Sequence, residues 1–316
     1  MALFKTTEEL AQYLPGINSV LSFDKIRPVI MDVQRSVLEP YCGEKLIQEL
    51  DKAYNAPTFS KLDEMQEALL KEIQPALAPI AMTRYIPIGE VQIDGRGVTT
   101  YDEGDSRKGA DNAQILRLRL SLLTMGMDAL ERLLTFLEKK VADYTDHQEV
   151  LKARPKSLLP NAREFSTAYQ IFDSHLTYRG LMPLIVQNED DRVAPVLGPA
   201  LYTELQGNSN LSDAKKKLRR QAQRALAYCT VADAIELNMA VELNAEGLRL
   251  NYTSQIGNVK YYSPPDHATR ESLLAAARSR AQSGLERLAE AVISLTSEPT
   301  TGSGLIDNTG LKIIGL

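Results

Sequence analysis

Two cysteines and three histidines are the chain's whole supply of the side chains most used for thiol chemistry, imidazole catalysis and zinc binding. Cys42 and Cys229 lie inside apolar segments without CxxC or Cys/His spacing, so they read as small buried hydrophobes in a reducing compartment. His147 lies in a polar stretch, His175 is close to Asp173, and His267 stands beside Asp266. None has metal-ligand spacing such as HExxH, which predicts solvated surface or capping roles. GxSxG, GxxxxGKS/T and a strand-borne GxGxxG are all missing, so no acyl-transfer or nucleotide motif is present. No 18 apolar residues run together, which leaves nothing to span a membrane, and the first residues turn acidic too early for a secretory signal. A net charge of −5 gives no general attraction to nucleic acid. The absences point to a non-catalytic protein without metal or cofactor.

What the chain does have is repetition. Its 316 residues, 44% apolar and 24% charged, suffice for two globular units of ordinary size. Residues 23–50 match 178–205 without a gap at an offset of 155. Pro28, Ile30, Pro40, Gly43, Leu46, Glu49 and Leu50 fall on Pro183, Ile185, Pro195, Gly198, Leu201, Glu204 and Leu205. The same offset returns where Leu130-Glu131-Arg132-Leu133 falls on Leu285-Glu286-Arg287-Leu288. Between these blocks the offset slips to 149 at Ala76-Leu77-Ala78 and Ala225-Leu226-Ala227, and to 150 at Val91 and Gly97 against Val241 and Gly247. The slips fall where loops are expected, and loops absorb length changes cheaply. The reading is a tandem duplication.

Each copy reads as mainly α: a helix-bundle module with one small β-hairpin. In the first, helices are expected near 6–13 and 22–38, with a short one after Gly43. A long one follows at 62–86, where Pro75 and Pro79 predict a kink or break. A hairpin at 91–98 turns at Asp94-Gly95. The closing helix, 112–141, carries two apolar stripes and so packs on more than one side. The second copy repeats the plan with helices at 212–237 and 268–296 and a hairpin at 241–252. The expected division is 1–150, 151–298 and a flexible tail, 299–316. A polar linker containing Pro155 and Pro160 spans 142–162.

Four features remain as candidate working parts. The turns Asp94-Gly95-Arg96-Gly97 and Asn244-Ala245-Glu246-Gly247 keep glycine at a tight turn, where positive φ is expected. The acidic clusters Asp102–Asp105 and Glu189–Asp191 lack calcium-loop spacing and read as solvated loop charge. Lys215, Lys216, Lys217, Arg219, Arg220 and Arg224 form a basic run on a helix whose counterpart opens with Asp63, Glu64 and Glu67. Three readings are open for it: a solvated face, a head-to-tail subunit contact between opposite charges, or a surface for DNA. Leu311, Ile313, Ile314 and Leu316 make an apolar strand on a tether, suited to docking on another subunit or folding back on its own modules.

The order helix pair, long helix, Gly-turn hairpin, long closing helix resembles the head–tail connector (adaptor) proteins of tailed bacteriophages. Residues 73–97, the polar loop after them, 116–138, and their copies in the second half carry the likeness. The whole chain is similar to a family from phages and prophages of Bacteroidota. The resemblance implies a virion structural protein, assembled in the bacterial host cytoplasm, that forms a homo-oligomeric ring. Its implied partners are the portal, the tail or a second connector, and DNA passing through the channel, with no membrane. Common single-module adaptors are about half this length, so the duplication is a departure that leaves the ring number open. The alternatives are a cellular helical scaffold or nucleic-acid-binding protein using 215–224 and, more remotely, an enzyme with a metal site around Asp102.

Overall fold

A computed structural model describes residues 2–14, 21–57, 62–89, 91–94, 97–100, 110–207, 211–237, 239, 241–244, 247–251 and 267–297. The first copy runs α1 (Thr7–Ala11), α2 (Phe23–Val33), a π-helical turn (Gln34–Leu38), α3 (Glu39–Cys42), α4 (Glu44–Tyr54) and α5 (Glu64–Gly89). The hairpin β1 (Val91–Asp94) and β2 (Gly97–Thr100) and the closing helix α6 (Asn112–Lys139) complete it. After α7 (Thr145–Lys152), the second copy runs α8 (Ala162–Ala168), α9 (His175–Asn188), a second π turn (Glu189–Val193), α10 (Ala194–Leu197) and α11 (Pro199–Gln206). It ends with α12 (Asp213–Glu236), β3 (Val241–Asn244), β4 (Gly247–Leu250) and α13 (His267–Ser297). The fold is a tandem duplication of a helix-bundle module, each copy with its own two-stranded antiparallel hairpin.

The duplication extends into details that sequence similarity does not reveal. Both π turns begin at the same place, 155 residues apart, and each turns a polar side chain, Gln34 or Glu189, into the interior. There it meets the segment that opens its module. Leu3 N–H donates to Gln34 Oε1 at 3.0 Å and Leu3 C=O accepts from Gln74 Nε2 at 2.9 Å. In the second copy Leu158 N–H donates to Glu189 Oε1 at 2.9 Å, and Leu158 C=O accepts from Gln223 Nε2 at 2.8 Å. Leu3, Phe4, Leu158 and Leu159 are buried. Their buried peptide groups require such partners, because an unpaired one costs about 1–3 kcal/mol. Thr6 and Asn161 then cap α1 and α8 through the backbone N–H of Glu9 and Glu164.

In each module the core lies between the long helix and the closing one, α5 against α6 and α12 against α13. α5 runs unbroken through Pro75 and Pro79, where a kink or break was expected, and on through Pro87. Each proline removes a backbone hydrogen bond, yet 11 residues of this helix, from Leu69 to Thr83, are buried. That packing outweighs the local penalty. Gly126 of α6 sits so close that a Cβ there would fall 2.6 Å from Ile80 Cγ1.

Two further expectations are corrected. The stretch 142–162 is not an open polar linker: α7 packs on α3 and α4, and Ser157, Leu158 and Leu159 are buried. Among the described glycines positive φ is found at Gly43 and Gly198, at +116° and +74°, which separate α3 from α4 and α10 from α11, and not at Gly247. Gly247 is needed for another reason, since a Cβ there would stand 2.3 Å from Gln170 O while Leu248 N–H donates to that same oxygen. Gly247→Ala is therefore expected to push the second hairpin off α8's C-terminal segment and destabilise the protein by roughly 1–3 kcal/mol, read by chemical denaturation.

Candidate functional site

The six basic residues do not act as one patch. Lys215 pairs with Glu204 at 2.5 Å and Lys216 with Asp213 at 3.2 Å, next to the N-cap that Ser212 supplies to α12. Arg219 turns inward: its side chain is 14% exposed and pairs with Glu164 at 3.3 Å. Lys217, Arg220 and Arg224 are exposed and make no ion pair among the described residues. Arg224 lines a cleft of about 580 Å³ between α12 and α13 with Gln221, Tyr228, Ser283, Arg280 and Arg287. The guanidinium of Arg280 lies 5.6 Å from the Tyr228 ring centroid, and Tyr228 meets Tyr169 edge-on. The arrangement suits an anionic partner, a carboxylate or a phosphate.

The first module supplies an internal reference for that cleft. At the positions of Gln221, Arg224, Arg280 and Ser283 it carries Glu72, Pro75, Met125 and Asp128. The shared fold therefore does not require Arg224 or Arg280, whereas Arg287 recurs as Arg132. Their neighbours from α13 lie far along the chain from the basic run, and only the packing of the two long helices unites them.

A second polar cluster joins the modules. Glu131 of α6 accepts hydrogen bonds from Ser174 Oγ and from the backbone N–H of His175 and Leu176, at 2.5, 2.9 and 3.2 Å. A carboxylate of the first module thus caps the first long helix of the second, where unpaired N–H groups and the helix dipole favour negative charge. Two turns on, Glu138 lies 3.1 Å from His175 Nδ1 and 3.9 Å from Arg154. Burial pushes Glu138 up, but the hydrogen bond from His175 and the charges of His175 and Arg154 outweigh it and hold the carboxyl low. The Arg179 guanidinium covers the Tyr41 ring at 4.2 Å. Leu176, though in the second copy, packs into the first core.

Other expected residues lie elsewhere or behave differently. His147 is 1% exposed, and its Nδ1 donates to Cys42 O at 3.1 Å, so it is interior rather than solvated. Its Nε2 is buried without a partner, and burial lowers its pKa. His175, at 11% side-chain exposure, serves the junction, while His267 is exposed. Glu189 is no loop charge: it is 1% exposed and also accepts from Ser157 and Tyr202, whereas Asp190 and Asp191 are exposed. Cys42 and Cys229 are free and buried, and burial pushes the Cys42 thiol up to about 12. Asp94 and Asn244 end the first strands and pair with Gly97 and Gly247. Gly95, 102–105 and Leu311, Ile313, Ile314 and Leu316 lie outside the described residues. Among the described residues no group of three His, Cys, Asp or Glu is placed to hold a metal, and no helix is long and apolar enough to cross a membrane.

Residues 38–156 and again 193–297 match one family, DUF6712, described as a family of unknown function. The chain belongs to this family. The two matched segments begin 155 residues apart, at the offset of the repeat, so each copy of the module carries one of them. The first match runs on through α7, the helix that connects the modules. No curated protein and no solved structure matches the chain.

The junction yields two expectations. Glu131→Ala leaves the Ser174 cap but removes the acceptor for the His175 and Leu176 N–H groups, so chemical denaturation should show a loss of about 1–3 kcal/mol and separate unfolding of the two modules. The shifts of His147 and Glu138 share a sign. Both are held below their ordinary values, so each contributes stability that is present at higher pH and lost on acidification. Melting temperature should fall as pH drops below 6.5, the ordinary value for His147, and further below 4.5, that for Glu138. His147→Gln should flatten the upper part of that profile.

Proposed function

We propose that the protein is a structural protein of a virion, a head–tail connector forming part of a ring between the portal and the tail of a bacteriophage. The observation that carries this reading is the junction itself. The modules meet through unlike surfaces, the outer part of α6 against the start of α9, and an unlike contact of this kind closes a ring when repeated with rotation. The repeat keeps the capping carboxylate as Glu286, which is exposed and engaged by Gln282 alone among the described residues. In the first copy the positions that answer to Ser174, His175 and Leu176 are Ser19, Val20 and Leu21, so the repeat carries both halves of the contact, one near each end of the chain.

In this reading the protein is not an enzyme, and it takes no metal or cofactor. It assembles in the host cytoplasm from copies of itself, between the portal and the tail or a second connector. Exposed apolar residues stand just before both hairpins, Ile88 at 53% and Leu237 at 64%, at positions 149 residues apart. Retained exposure of that kind suits contact with a partner protein. The arginines of the α12–α13 cleft would meet acidic partner surfaces or DNA in the channel. Those arginines also support a second reading, a helical scaffold or nucleic-acid-binding protein.

Mass photometry of the chain, alone and with the portal ring of the same virion, separates the two. The connector reading expects one closed oligomer of fixed mass, free or on the portal, that a chain ending at Pro299 fails to form. Particles that stay monomeric, ignore the portal and bind duplex DNA with a steep salt dependence would replace it with the second reading.

A further inference from the structure

The segment that joins the two modules occurs a second time. Val150, Leu151, Leu158 and Leu159 recur 155 residues later as Leu305, Ile306, Ile313 and Ile314, and Pro155 and Pro160 recur as Gly310 and Gly315. Four apolar positions and both helix-breaking positions are kept at the repeat's own offset. Read backwards by the same step, Leu158 and Leu159 fall on Leu3 and Phe4. The pattern of an opening segment therefore occurs three times, at 3–4, 158–159 and 313–314.

The receiving slot is known from two examples. In each, the first apolar residue is gripped by its N–H and its C=O, between Gln34 and Gln74 or between Glu189 and Gln223. Upstream of that grip the modules differ. In the second, Tyr202 and Gln206 close over the incoming chain, Gln206 Nε2 reaching Lys156 O at 3.4 Å. Their counterparts in the first module, Ile47 and Asp51, instead line a cleft of about 610 Å³ with Gln34, Met31, Glu39 and Asn55. The cleft also holds Arg35 and Lys52. Met31 and Ile47 offer apolar surface to Leu311, and Glu39 and Asp51 offer carboxylates among those cations to Lys312; Leu311 and Lys312 correspond to Lys156 and Ser157.

We propose that residues 311–316 of one copy dock on the first module of a second copy, as 156–161 dock on the second module within the chain. Leu311 enters the cleft beside Gln34, and Ile313 and Ile314 take the places of the resident Leu3 and Phe4. The exchange swaps like for like, an apolar pair for an apolar pair on the same two hydrogen-bonding side chains, so its direction is set by how many copies are held together. This rests on the reading of the protein as one that assembles with itself, and it names the clasp.

The corresponding residue to Ala2 in the third segment is Lys312, and Ala2 O accepts from Asn55 Nδ2 at 3.1 Å. Full-length chains carrying Asn55→Cys alone are mixed with chains carrying Lys312→Cys alone and oxidised under assembly conditions. A mixed covalent dimer is expected, and its yield should fall at least tenfold with Ile313→Asp and Ile314→Asp in the tail. Leu3→Ser, which loosens the resident segment, should raise it. No mixed dimer, or a chain carrying both cysteines that closes only on itself, overturns the proposal. Rings that form on the portal without the cross-link sink the clasp and leave the connector reading intact. Cross-linked chains that never engage the portal do the reverse.

Discussion

A residue whose main chain is taken out of water must find both an acceptor for its N–H and a donor for its C=O, and each module is arranged round one such residue. The peptide groups at Leu3 and at Leu158 are met from one side by the π turn and from the other by the middle of the long helix. This fixes three separate pieces of chain at one point. Because Gln74 and Gln223 are committed there, the apolar faces of α5 and α12 are turned toward the closing helices. The π turn makes the geometry possible, since its wider helical path presents Gln34 or Glu189 inward where an α-helix would continue its regular face. Glu189 carries a charge risk that Gln34 does not, and Ser157, Tyr202 and the Leu158 N–H offset it with hydrogen bonds.

With the interior held in common, the two copies were free to differ outside. Glu72, Pro75, Met125 and Asp128 stand where Gln221, Arg224, Arg280 and Ser283 form a basic cleft, and neither set disturbs the core beneath. Interior positions such as Ala76 and Ala225 or Leu77 and Leu226 are identical and buried. This separation is what packing predicts, because a methylene added inside is felt while a surface charge moves stability little. The chemistry of the outer face can therefore be assigned to partners.

Much of the fold was legible because helices write their burial at a period the eye can follow, and because a duplicated module supplies its own alignment. The long and closing helices, both hairpins and the repeat offset all came from such patterns. Short segments carry no period: Leu3-Phe4 and Leu158-Leu159 are two apolar residues each, and only the hydrogen bonds around them reveal their equivalence. Polar burial was missed for a related reason. Glu189 begins an acidic triplet that looks solvated, and His147 sits among polar neighbours, yet both face inward. The basic run misled in the opposite direction, since ionic partners from α8 and α11 take up Lys215 and Arg219 while α13 supplies the arginines that complete the cleft. For Glu131 a signal existed in the repeated Leu-Glu-Arg-Leu, but its role as a cap on another module depends on a helix start 43 residues away.

Fusing two modules changes what their junction has to do. Inside one chain α7 and the segment after it keep the partners at high effective concentration, so a contact built on one carboxylate, an ion pair and a stacked guanidinium is enough to set register. Such a contact takes Leu176 as an apolar component and gains its strength from charge-assisted hydrogen bonds in a partly buried setting. Between chains that concentration is absent, and the same polar contact would be too weak alone. A contact of that kind needs either a template that holds copies side by side or an added apolar component. The two requirements act together, since a clasp of a few apolar residues is reversible until neighbours are already in place, which favours closure on a template over growth in free solution.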